Sequence, residues 1–140
     1  MTGIRLLVCA ALVAVLPSVS SAQAEGCALD KLAAGSKLAA PPIRLGYRIV
    51  GGAVKVGAPF TIDVAACIGP GTAPRRIRID ARMPAHGHGM NYKPSERKLG
   101  PGHSRFEGLV FHMPGRWEIS FDIFGADARK RLSVTLDVRR

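Results

Sequence analysis

The chain has 140 residues and a formal net charge of +10, from 20 Lys and Arg against 10 Asp and Glu. That length is enough for one domain with its own hydrophobic core and too short for two. The charge fits an acidic partner, an anionic surface or plain solubility. The basic residues (Arg75, Arg76, Arg78, Arg82, Arg97, Lys98, Arg129, Lys130, Arg131) are scattered and not interleaved with aromatics, which argues against nucleic acid as a partner.

Residues 1–24 read as a secretory signal peptide. Arg5 supplies the positive start, Leu6 to Leu16 a short apolar run, and Ala22-Gln23-Ala24 the small-x-small cleavage pattern. The run is too short to span a bilayer comfortably, and no later segment approaches that length. The expectation is a periplasmic or secreted protein with no integral membrane segment after cleavage. Only Cys27 and Cys67 then remain, and two cysteines in an oxidising compartment usually pair. The alternative, copper thiolates, is the weaker one because both lie far in sequence from the chain's His- and Met-rich stretch.

Residues 25–42 show no sustained period and read as an irregular N-terminal arm, in which Asp30 caps a short helix through Leu38 that Pro41-Pro42 closes off. From Ile43 onwards the apolar period is two. Successive faces are Ile43, Leu45, Tyr47 and Ile49; Phe60, Ile62, Val64 and Ala66; Ile77, Ile79, Ala81 and Met83; Phe106 to His112; Trp117, Ile119, Phe121 and Ile123; and Leu132, Val134, Leu136 and Val138. Alternation slips near Gly108, the mark of a β-bulge. Six to seven short strands and no convincing long helix predict an all-β, immunoglobulin-like antiparallel β-sandwich over residues 43–140.

The stretch Met83-Pro84-Ala85-His86-Gly87-His88-Gly89-Met90 carries two of the four histidines and two of the four methionines. Imidazole nitrogen and thioether sulfur are neutral ligands that suit copper, sulfur favouring Cu(I). The intervening glycines permit unusual backbone angles, so neighbouring ligands can turn towards one centre. The bland alternative leaves Met83 ending a buried strand, Met90 filling a core gap and the histidines solvated. The connection from Pro84 to Gly102 is also longer than most loops of compact domains, which marks the same segment independently. A second cluster, His112-Met113-Pro114-Gly115-Arg116-Trp117, sits at a strand's end beside a Pro-Gly reversal, and its bland alternative makes Met113 and Trp117 core and leaves His112 on the outer face.

The pattern M-P-A-H-G-H-G-M-N-Y-K-P followed by F-x-G-L-V-F-H-M-P-G-R-W-E-I resembles the YtkA-like, FixH-like group of exported bacterial domains, over about Pro59 to Val138. The resemblance implies an immunoglobulin-like sandwich loosely akin to CopC-like copper carriers, with an association with copper handling and redox proteins. A separate group of periplasmic copper chaperones joins an H-M pair to an H-x-M triplet. His112-Met113 and His88-Gly89-Met90 supply both elements here in reversed order, so that likeness is one of ligand type.

These readings converge on a copper carrier or accessory protein. Its candidate ligands are Met83, His86, His88, Met90, His112 and Met113, its cargo is Cu(I), and its partner is a redox or copper-dependent periplasmic protein. Two rivals stand beside it. One is a metal-free module docking an acidic periplasmic partner. The other is an enzyme using a His with Glu96 or Glu107, which lacks any accompanying nucleophile motif, so no catalysis is expected. An immunoglobulin-like topology with a strand-like crossing around Tyr92 to Lys98 places the Met83–Met90 loop and the His112-Met113 corner at the same end of the domain.

Overall fold

The computed structural model describes residues 27–32, 35–127 and 129–139; the expected signal peptide lies outside the described residues. Among the described residues, nine strands form two antiparallel sheets, the expected all-β sandwich. They are β1 (Ser36–Ala40), β2 (Ile43–Val50), β3 (Pro59–Ile68), β4 (Arg76–Met83), β5 (His88–Gly89), β6 (Ser95–Gly100), β7 (His103–Val110), β8 (Gly115–Phe124) and β9 (Arg129–Val138). One sheet runs β1-β2-β3-β7-β6 and the other β5-β4-β8-β9.

The period-two faces become the facing inner layers. Ile43, Leu45, Ile62, Val64, Ile77, Ile79, Phe106, Trp117, Ile119, Phe121 and Ile123 all belong to one buried cluster. Each such side chain contributes about 1.5 to 3 kcal/mol by leaving water. Tyr47 of β2 meets Phe121 of β8 across the layers at 5.4 Å between ring centroids. The slip near Gly108 is a bulge: Thr61 pairs with Glu107 and Phe60 with Leu109, leaving Gly108 as the extra residue at φ 81°.

Two expectations are corrected. The helix from Asp30 to Leu38 is instead a short 3-10 turn (Ala28–Leu32) followed by β1. The reason is tertiary: Ser36 to Ala40 satisfy their backbone groups against the edge of β2, and the Pro41-Pro42 turn reverses the chain between them. The second half of the N-terminal arm is therefore part of a sheet. The connection after Pro84 also begins with a 3-10 turn (Pro84–His86) and β5 where a loop was expected, while the crossing expected around Tyr92 to Lys98 is β6. Strand β6 reads Ser-Glu-Arg-Lys-Leu-Gly, and its first four residues are exposed at the sheet edge. An edge strand with little to bury shows no apolar alternation, so periodicity passes over it.

The 3-10 turn covers the outer face of the five-stranded sheet. Leu29 and Leu32 pack over Ala65 and Gly46, two outward positions too small to hold the turn away. The Cys27–Cys67 disulfide, with Cα atoms 5.6 Å apart, ties it there. Beside the turn, Asp63 accepts from Arg105 (2.6 and 2.9 Å) and Arg48 (3.0 Å), which neighbour it on the flanking strands. The Arg105 hydrogen bond, aided by Arg48 and opposed by burial, holds the Asp63 carboxyl below the usual range. Asp122 is held low in the same way on the outer face of the other sheet, by Arg131 first and then Arg129.

His103 also faces this cap. It is only 8% exposed, and neither ring nitrogen has a hydrogen-bond partner among the described residues. Burial pushes its pKa below the ordinary value, and Lys31, Arg105 and Arg48 push the same way while Asp63 opposes them.

Two outcomes are expected. Replacing Cys27 and Cys67 by Ser should cost about 3 to 4 kcal/mol in denaturant unfolding, because the bridge closes a long loop of the unfolded chain. Because the unfolded chain binds the His103 proton more readily, stability should fall as pH drops below about 6.5. It should fall again below about 3.8 as Asp63 and Asp122 protonate. Unfolding free energies of His103→Leu across pH 3 to 8 should lack the first step and keep the second.

Candidate metal centre

The site is built where β4 ends and β8 begins. These strands pair antiparallel, with Arg82 opposite Glu118, so Met83 finishes beside the start of β8 at Gly115. The chain then turns through Pro84–His86, and Gly87 adopts a left-handed conformation at φ 65°. That reversal lays β5 back along β4 with His88 opposite Met83, and Met90 N–H donates to the Ala81 carbonyl at 3.1 Å. Directly paired residues project to the same face of a sheet. His88 and Met83 therefore share a face, with His88 exposed at the rim and Met83, 1% exposed, beneath it.

The corner before β8 is pinned by Trp117. Its indole N–H donates to the Met113 carbonyl at 3.0 Å. Its ring stacks on Phe111, 4.4 Å away and nearly parallel, and meets the His112 ring edge-on at 5.4 Å. His112 is thus held edge-on against Trp117. Its ring lies 5.9 Å from that of His88, which lies 6.2 Å from that of His86. The loop and the corner stand at the same end of the sandwich, as the expected topology requires.

The six expected ligands do not play equivalent parts. His86 and His88 are exposed, His112 is half-buried, and these three imidazoles gather at one rim. Met83 lies below them; its Cε is 3.0 Å from where a Gly115 Cβ would stand. Met90 and Met113 are half-buried and pack against the core. Cys27 and Cys67 are joined to each other, which leaves no thiolate from them.

The donor set fits a soft monovalent ion. Two imidazoles bound to one ion at about 2 Å place their centroids about 5 to 6.5 Å apart, the range spanned by the His86–His88 and His88–His112 pairs. The Nδ1 of His112 is buried and has no hydrogen-bond partner among the described residues. A buried imidazole nitrogen left this way is a cost that a bound ion would relieve. Among the described residues no three His, Cys, Asp or Glu side chains are close enough together to form a site by themselves. Completing one requires a thioether or a small approach of the exposed His86 and His88.

His103, unremarked in the sequence reading, is the fourth histidine, and its role is separate because it faces the 3-10 cap over the five-stranded sheet. The Arg48–Asp63–Arg105 group was equally unmarked. Its only sequence sign is a lone Asp inside an apolar run, Phe60 to Cys67.

No protein-family model matches the chain, and no curated protein matches it in sequence. Among solved structures, a DUF4426 family protein from Pseudomonas aeruginosa PAO1 superposes with a TM-score of 0.55 at 8% identity, over 74% of this chain and 94% of that one. FetP of uropathogenic E. coli strain F11, as isolated after recombinant expression in the periplasm, aligns with a TM-score of 0.46 at 10% identity, over 74% and 92% of the two chains. A copper-bound variant of FetP gives 0.40 at 12%, over 76% and 90%. The first of these shows a shared sandwich fold, and the other two add nothing to it.

Gly115 sits at φ 126° with Met83 against it, so Gly115→Val should destabilise by about 1 to 3 kcal/mol in thermal unfolding. Gly89→Ala, whose added carbon would meet only the Ala81 carbonyl at 3.8 Å, should be nearly neutral in the same measurement.

Proposed function

We propose that this protein is an exported carrier of copper, taken up as Cu(I) at the rim formed by His86, His88 and His112. The observation that carries the reading is a run of three imidazoles from two separate segments, His86 beside His88 and His88 beside His112, with a buried His112 nitrogen that has no hydrogen-bond partner among the described residues. The motif resemblance to YtkA-like, FixH-like domains supports the same reading.

Each residue has a distinct part. His112, wedged against Trp117, is the fixed ligand. His86 and His88 flank Gly87 on an exposed turn and reach the ion from solvent, so they can also let it go to a partner protein. Met83 offers a thioether from beneath, with Met113 and Met90 as further sulfurs at the same end. All these donors are neutral, so a bound Cu(I) keeps its charge and is held less firmly than by thiolates. The reading assigns no catalysis: Glu96 accepts from Ser104 and pairs with Lys98, and Glu107 pairs with Arg97.

Competition against a chromophoric Cu(I) chelator under reducing conditions tests this. Binding tighter than micromolar is expected, at least about tenfold weaker (1.4 kcal/mol) in His88→Ala and in His112→Ala, with Zn(II) bound more weakly than Cu(I). Imidazole ligates only when neutral, so affinity should also decline in acid. Wild-type affinity poorer than micromolar, or equal affinity for Zn(II), would leave the metal-free interaction module as the better account.

A further inference from the structure

The side of the sandwich between β4 and β6 is open. Strand β5 covers only Arg82 and Met83 of β4, so from Arg76 to Asp80 that strand is paired on one side alone among the described residues. The Ala81 carbonyl points to the β5 side, where it accepts from Met90. Backbone groups alternate in direction along a strand, so Ile79 and Ile77 present theirs to the same free edge.

A groove of about 500 Å³ runs along this edge. Ile77, Ile79 and Phe106 give it an apolar floor, Met90 closes the end nearest the His rim, and Tyr92, 64% exposed, stands on its wall. Arg76, Arg78, Arg129 and Arg131 line the remainder with Lys93, Pro94 and the carboxylates Asp80, Glu96 and Asp122, so the cations outnumber the acids. Asp122 is already engaged by Arg129 and Arg131, while Arg76 and Arg78 have no acidic partner among the described residues. Arg76 and Arg78 project from the exposed face of β4, alternating with buried Ile77 and Ile79.

We propose that the free edge of β4 takes up an extended, acidic segment of a partner protein as an added strand, with alternate carboxylates meeting Arg76 and Arg78 and the intervening apolar side chains entering the groove. Strand addition draws affinity from main-chain hydrogen bonds and specificity from alternate side chains, and the arginine–isoleucine alternation supplies the complementary pattern. A second copy of this chain is a poor occupant, because its net charge is +10. A small anion would use the arginines and leave the apolar floor and the unpaired edge without a role. The docking stands without the metal reading. If both hold, the segment ends beside Met90 and brings its owner to the copper rim.

The test uses metal-free protein and, as probe, a capped eight-residue peptide alternating Glu and Val, with an alternating Lys and Val peptide and inorganic phosphate as comparators. Expected are saturable amide shifts at Ile77 and Ile79 with the acidic peptide at about millimolar or lower concentration, weakened by salt. Arg76→Glu with Arg78→Glu should weaken binding at least about tenfold, whereas Lys37→Glu with Arg44→Glu, an equal charge change on the other sheet, should leave it within about twofold. No shift at millimolar peptide, shifts that avoid Ile77 and Ile79, equal loss in both double variants, or phosphate reproducing the peptide's shifts would each overturn the proposal. Because no metal is present, none of these results bears on copper binding.

Discussion

The corner between β7 and β8 depends on Trp117. One fully buried indole donates to the Met113 carbonyl, stacks on Phe111 and supports the ring of His112. The stack continues through Phe111 to Phe60 on β3, 4.9 Å away, so the corner is anchored to the opposite sheet as well as to its own. A core aromatic of this size is worth about 3 to 5 kcal/mol against Ala. Here its burial and its hydrogen bond fix the backbone from Phe111 to Gly115. His112 therefore has a defined position although it lies outside any strand.

Charge is arranged on the outer faces in a different way. Each sheet carries one nearly buried aspartate between two arginines, Asp63 with Arg48 and Arg105, and Asp122 with Arg129 and Arg131. Each of these groups has one carboxylate for two cations, so it remains net positive while its carboxylate is fully satisfied. Removing one arginine would leave a partly unmatched buried charge, which costs more than the pair contributes. The clusters beside β3 and between β8 and β9 are thus each centred on one carboxylate, while Arg76 and Arg78 on β4 have no acidic partner among the described residues.

The arm and the rim are held by separate means. The Cys27–Cys67 bridge and the leucines of the 3-10 turn cover the outer face of the five-stranded sheet, over His103 and Ala65. The His/Met rim belongs to the other sheet and to the corner before β8. Joining Cys27 and Cys67 in the tether leaves imidazole and thioether as the donors at the rim.

Much of this was legible in the residues alone. The two-residue period fixes which side chains face inward on β2, β3, β4, β7, β8 and β9, because a strand with one buried face must alternate. Turn chemistry at Gly108 and Gly115 marked the bulge and the corner, and the clustering of His and Met marked the segments that carry imidazoles. Strand β1 was not legible, and β6 only as a crossing around Tyr92 to Lys98 that the expected topology required, because edge strands bury little and are stabilised by pairing with a neighbour that only the folded chain provides. Nor was the buried His103, whose surroundings come from four separate elements. Which histidines meet was settled by the antiparallel register of β4 with β8. That register brings Met83 to Gly115, and so His88 to His112, across 24 residues of sequence that carry no local sign of the contact.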